Sequence, residues 1–142
     1  MTTRADVVAE ARTWLGTKWI HQHRAKGQGV DCAGLIICVA RDLGLLPVEF
    51  DINGYSRMPD GTLLAVCDQH MDRIDRSAMQ PGDVLVVAIE SDPQHMGIVG
   101  DYRHGGLSLI HAASKVGKVI ETRLMFARNQ VFRGAYALRG VD

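Results

Sequence analysis

The feature that most limits the fold of this chain is a change of hydrophobic period at Gln80-Pro81-Gly82. Before it, apolar residues recur at helical spacing. After it come short β-rich runs separated by turn residues: 83–89, 95–101, 107–112, 118–124 and 131–138. Helices first and strands afterwards predict an α+β domain, in which N-terminal helices pack on an antiparallel meander of about five strands. No repeat, low-complexity tract or linker interrupts the pattern, and 142 residues suit a single domain, 1–142, able to bury a core without disulfides or structural metal.

The first predicted helix is capped by Thr2 or Thr3 and carries an apolar stripe of Val7, Val8, Ala11, Trp14 and Leu15, ending at Gly16. From Thr17 to Val30 the periodicity vanishes, and His21-Gln22-His23-Arg24-Ala25-Lys26-Gly27 reads as a loop. Gly27 and Gly29 then lead into Asp31, an N-cap candidate, and a helix of about Cys32 to Leu43 with Leu35, Ile36 and Val39 on one face. Cys32 therefore stands in the first turn, where backbone N–H groups and the helix dipole favour a thiolate. Cys38, six residues on, is turned roughly 240° away and belongs elsewhere. An irregular connection from Pro47 to Gly61 precedes a short helix from about Thr62 to Met71, in which Cys67 is expected to be a small core residue.

Lys plus Arg and Asp plus Glu both number 16, so no basic stripe points to nucleic acid or a membrane surface. No run approaches the roughly 18 apolar residues of a membrane span, and the N-terminus lacks the features of a secretion signal. The expectation is synthesis in the cytoplasm. The three cysteines form neither an even set nor a C-x-x-C pair, which argues against a disulfide framework.

A cysteine nucleophile requires a base within hydrogen-bond reach and a group that orients the base. Of the six histidines, His95 and His111 fall on consecutive predicted strands, where a hairpin can hold them about 5 Å apart across the ladder. Direct pairing requires a turn centred near Arg103. The stronger turn signal, Gly105-Gly106, shifts the register and calls for a bulge near Gly100 or an asymmetric loop. His21 and His23 have the alternate spacing of a metal pair, but only Cys32 is at hand to extend the set, and no metal or other cofactor is expected. His23, His70 and His104 are expected in solvent, and Asp83 as a turn residue.

Four stretches, Asp31-Cys32-Ala33-Gly34-Leu35, Gln80-Pro81-Gly82-Asp83-Val84, His95-Met96-Gly97-Ile98 and Leu109-Ile110-His111-Ala112, resemble in order and spacing the NlpC family of papain-like cell-wall cysteine peptidases. Upstream, Ala11 to Thr17 with Trp19 and His21-Gln22 is similar to the branch found in bacteriophage tails and gene-transfer particles. The resemblance spans nearly the whole chain and fades between Pro47 and Met79. It implies Cys32 as nucleophile, His95 as general base and acid, and His111 as the orienting group. It implies as substrate the peptidoglycan stem peptide, commonly cut between D-glutamate and the following diamino acid, and as partners the subunits of a phage tail or gene-transfer particle. Trp19 and Asp31 are the implied substrate contacts, Asp31 meeting an ammonium while also capping its helix. Two positions depart from the family pattern: Ala33 replaces a common serine, and Trp19 stands where a tyrosine is usual, which bears on substrate preference. The rival readings are a structural tail-tip subunit with a vestigial site, and thiol acyl chemistry on another amide or a thioester.

Overall fold

The computed structural model describes residues 1–52, 62–89, 92–125 and 130–142. Helix α1 (Arg4–Arg12) starts at Thr3, whose hydroxyl accepts from the Asp6 N–H while the Asp6 carboxylate accepts from the Thr3 N–H. This reciprocal cap satisfies two of the donors that a helix start leaves without partners. Val7, Val8, Ala11 and Trp14 are buried, but Leu15 lies beyond the helix end and is exposed, so the predicted stripe stops one residue early.

The loop that follows contains a small hairpin of β1 (Arg24–Ala25) and β2 (Gly29–Val30), which runs straight into α2 (Cys32–Asp42). Next come α3 (Thr62–His70), β3 (Asp72–Ile74), β4 (Val84–Ile89), β5 (Asp92–Asp101), β6 (Leu107–Ala113), β7 (Lys118–Arg123) and β8 (Gln130–Ala137). The main sheet has order β3-β8-β4-β5-β6-β7, antiparallel throughout. It has six strands where about five were expected. The addition is β3, a three-residue edge strand whose charged Asp72 and Arg73 hide it from a search for apolar runs. Nor is the sheet a plain meander: β8 returns to pair with β4, on the side opposite β5.

The two faces of the sheet are covered differently. Val84, Val86, Met96, Ile98, Ile110, Ala112 and Tyr136 join residues of α1, α2 and α3 in the main core. On the other face Leu85, Val87, Val99 and Leu109 form a smaller cluster with Met79 and Phe132 against it. This alternation is what period-2 side chains produce when each face is buried separately.

Beyond β7 the sheet continues through irregular chain. The Gly16 N–H donates to the Val119 carbonyl, the Val119 N–H to Thr17, and the Trp19 N–H to Gly117. On its other side the same segment bonds Val30, whose N–H donates to the Lys18 carbonyl and whose carbonyl accepts from Ile20. A hydrogen-bonded path therefore leads from β5 and β6 across β7 to β2, and β2 leads into Cys32.

Candidate active site

Asp31 builds the start of α2. It is 2% exposed, and its Oδ1 accepts from the Gly34 N–H at 2.8 Å, the bond expected of an N-cap. The same carboxylate ties down the approaching loop: Oδ2 accepts from the Gln22 N–H at 2.6 Å, and Oδ1 lies 3.2 Å from Arg24 Nη1. Gln22 has φ +57°, in the left-handed region, and its bond to Asp31 helps to hold that turn. Arg24 reaches onward to Asp51 Oδ1 at 3.0 Å and the Ile52 carbonyl at 3.1 Å. No sequence motif marks Arg24, yet it clamps the loop before the thiol to the chain after α2. Gly34 makes room for it, since a Cβ there would stand 2.7 Å from Arg24 Nη1 and 2.9 Å from the His23 carbonyl oxygen. The Asp31 oxygens are thus engaged in capping and loop anchoring within the fold.

Cys32 is half-buried in the first turn of α2 and packs at the margin of the main core, as the half-buried Trp19 also does. Trp19 stacks on His21 with ring centres 6.4 Å apart, and His21 Nδ1 is 3.8 Å from Asp31 Oδ2. Cys67 is buried as expected and Cys38 is buried too, and burial raises their thiols to about 12 and about 11 respectively. Neither carries a useful thiolate fraction at neutral pH. His23, His70 and His104 are exposed. Among the described residues no three His, Cys, Asp or Glu side chains gather in a metal-holding group.

The two histidines of the strand region do meet. His95 Nε2 lies 2.5 Å from His111 Nδ1, with ring centres 4.7 Å apart and planes at 77°. They are not directly opposed, as the simplest register required. The ladder pairs Ile98 with Ile110 and Val99 with Leu109, which continues to Gly97 opposite His111 and leaves the rings as diagonal neighbours on one face. The Gly105-Gly106 signal sets this register: Tyr102 N–H donates to the Gly106 carbonyl, Gly105 N–H returns to Tyr102, and both glycines have positive φ. No bulge is needed near Gly100. The irregularities fall instead on β4, between Val86 and Val87 against β8 and between Val87 and Ile89 against β5. Gly97 lets the ring strands close up, because a Cβ there would sit 2.7 Å from the Ile110 carbonyl oxygen and 2.9 Å from His111 Cβ.

His95 is 3% and His111 8% exposed. Burial, and second the proximity of His95, push His111 down to about 3, so it stays neutral across the physiological range. Its other nitrogen, Nε2, lies 3.3 Å from Thr122 Oγ1. Asp83 proves to be more than a turn residue: it is fully buried, ion-paired to Arg4, and accepts from the Gln80 N–H at 2.8 Å. That pair pins the start of α1 to the start of β4.

The sequence matches no family model and no curated protein sequence. The fold does match solved structures. The NlpC/p60 domain of the peptidoglycan hydrolase SagA superposes with a TM-score of 0.66 at 22% identity, over 96% of this chain and 100% of that one. NlpC1 from Trichomonas vaginalis gives 0.69 at 20% identity over 97% of this chain, which spans 45% of that protein's length. An N-acetylmuramoyl-L-alanine amidase from Bacteroides uniformis gives 0.59 at 12% identity over 96% of this chain and 99% of that one. The chain has the NlpC/p60 fold. At these identities it is the architecture that is shared.

Proposed function

We propose that this chain is a cysteine peptidase acting on peptidoglycan stem peptides, with Cys32 as nucleophile, His95 as general base and acid, and His111 as the group that orients His95. The observation that carries the reading is the buried His95–His111 contact, on the two strands over which α2 packs. The route from those strands through β7 and segment 16–20 to Val30 supports it, since Lys18 bridges Lys118 at the end of the sheet where Ala113 of β6 also pairs with Lys118.

In this mechanism the Cys32 thiol gives its proton to His95 Nδ1, while His95 Nε2–H donates to His111 Nδ1. The thiolate attacks the amide carbonyl, and backbone N–H groups at the start of α2 stabilise the oxyanion. The His95 imidazolium then protonates the departing amine, leaving an acyl-enzyme. Water, deprotonated by His95, releases the acid and regenerates the thiol. The bond between D-glutamate and the diamino acid is the one we assign, and a phage tail tip or gene-transfer particle is the setting we favour from the upstream Trp19 and His21-Gln22 motif. Trp19 is the substrate-contacting wall we assign. Asp31 acts on substrate through the loop it holds, its oxygens already being bonded to Gly34, Gln22 and Arg24.

Incubation of purified sacculi with the wild type and with Cys32→Ala tests the proposal. Peptide fragments should appear with the wild type alone, and mass spectrometry of the new termini identifies the bond. Equal release by both proteins overturns the assignment of the nucleophile; no release by either favours a structural subunit.

A further inference from the structure

We propose that Thr122 is a positioning residue for this reaction: its hydroxyl oxygen accepts the His111 Nε2 proton and so presents the His111 Nδ1 lone pair to His95. The inference rests on the assignment of Cys32 and His95 as the reacting groups. It extends the relay to a fourth side chain that no sequence motif marks.

The geometry is a run of diagonal contacts on one sheet face. The ladder pairs Leu109 with Thr122 and His111 with Ile120, so Thr122 flanks His111 from β7 as His95 does from β5. The contacts are 2.5 Å from His95 Nε2 to His111 Nδ1 and 3.3 Å from His111 Nε2 to Thr122 Oγ1. A neutral imidazole has one ring proton to place on one of two nitrogens, and the partner of one nitrogen decides the state of the other.

The reaction selects between the two arrangements. Once His95 has taken the thiol proton, both its nitrogens carry hydrogen, and its Nε2–H must meet a lone pair. His111 Nδ1 supplies that lone pair only if the single His111 proton lies on Nε2, where Thr122 Oγ1 is the acceptor. In the reverse arrangement the Thr122 hydroxyl donates to Nε2 and His111 Nδ1–H points at His95 Nε2–H, two donors face to face. His111 cannot escape by taking a second proton, because burial and the neighbouring ring keep it neutral. No net proton passes to His111 or Thr122; the thiol proton goes to His95 Nδ1 and later to the leaving amine.

The test is the ring-nitrogen spectrum of histidine-labelled protein, which reads the tautomer without turnover, combined with kinetics on a soluble stem peptide. In the wild type His111 should be protonated at Nε2. Thr122→Val, which keeps the shape and loses the oxygen, should mix the tautomers and lower kcat about three- to tenfold with KM within about twofold, the loss of one neutral hydrogen bond. Thr122→Ser should restore both readings. A wild-type His111 protonated at Nδ1, or a Thr122→Val protein with unchanged tautomer and kcat, overturns the proposal. Failure of the underlying reading is separate: it shows as activity that survives Cys32→Ala, while the spectrum still reports on Thr122.

Discussion

Acidification from pH 7 to pH 5 should destabilise this protein through His111, and the size of the effect follows from linkage. In the unfolded chain His111 titrates near 6.5; in the fold it is pushed down to about 3. Between those values the unfolded chain binds a proton that the folded one does not, so stability is intact above about pH 7 and is lost as pH falls through 6.5. At pH 5 the unfolded ring is almost fully protonated. The difference between pH 7 and pH 5 is then about 2 kcal/mol, a figure insensitive to the folded value so long as that lies below about 4. With a urea m-value of about 2 kcal/mol/M for a domain of this size, the midpoint should drop by about 1 M. His111→Asn retains a polar side chain without a titrating ring, and the other histidines are common to both proteins. The difference between their pH dependences therefore isolates position 111. The window stops at pH 5 because below it carboxylates such as Glu121, held low by its hydrogen bond from Arg12, begin to take up protons. Parallel urea midpoints for the two proteins from pH 7 to pH 5 would refute the claim that His111 is held neutral by the fold.

Iodoacetamide at about pH 6 should label Cys32 well ahead of Cys38 and Cys67, whose thiols are raised by burial to about 11 and about 12; tryptic mapping reads the order, and uniform slow labelling would count against an activated thiol. Gly97→Ala should cost about 1–3 kcal/mol of stability by driving a methyl into the Ile110 carbonyl and His111 Cβ, and should also lower activity by prising the rings apart. Stability equal to that of the wild type in a chemical melt would show that β5 and β6 do not approach as closely as described.

Element type was legible in the sequence wherever burial imposed a period, and lost wherever it did not. The five apolar strands follow from their own residues, whereas Asp72-Arg73-Ile74 becomes a strand only because β8 offers it a free edge. Asp31 was recognisable as a cap from its place before an apolar run, but its second oxygen binds Gln22 and its first also faces Arg24, contacts that depend on how an aperiodic loop is threaded. Asp83 illustrates the same limit. Its position after Pro81-Gly82 signals a turn, and only the docking of α1, 79 residues away in sequence, turns it into a buried partner of Arg4. Thr122 carries no local signal at all; its placement is inherited from the register of β6 against β7.

Register is also where the site was closest to being derivable. In an antiparallel pair, two residues share a face when the sum of their positions has the parity of the ladder's own pairing sum, and successive pairs along a face shift by two. His95 and His111 sum to an even number, and Ile98 with Ile110 shows that the ladder's sum is even as well. A turn centred on Arg103 or on His104 therefore keeps both imidazoles on one face, directly opposed in the first case and diagonal in the second. A register displaced by half that step would send them to opposite faces and expose the core residues of one strand. The buried alternation of Met96, Ile98, Ile110 and Ala112 forbids that displacement, so these apolar residues keep the two rings on a shared face.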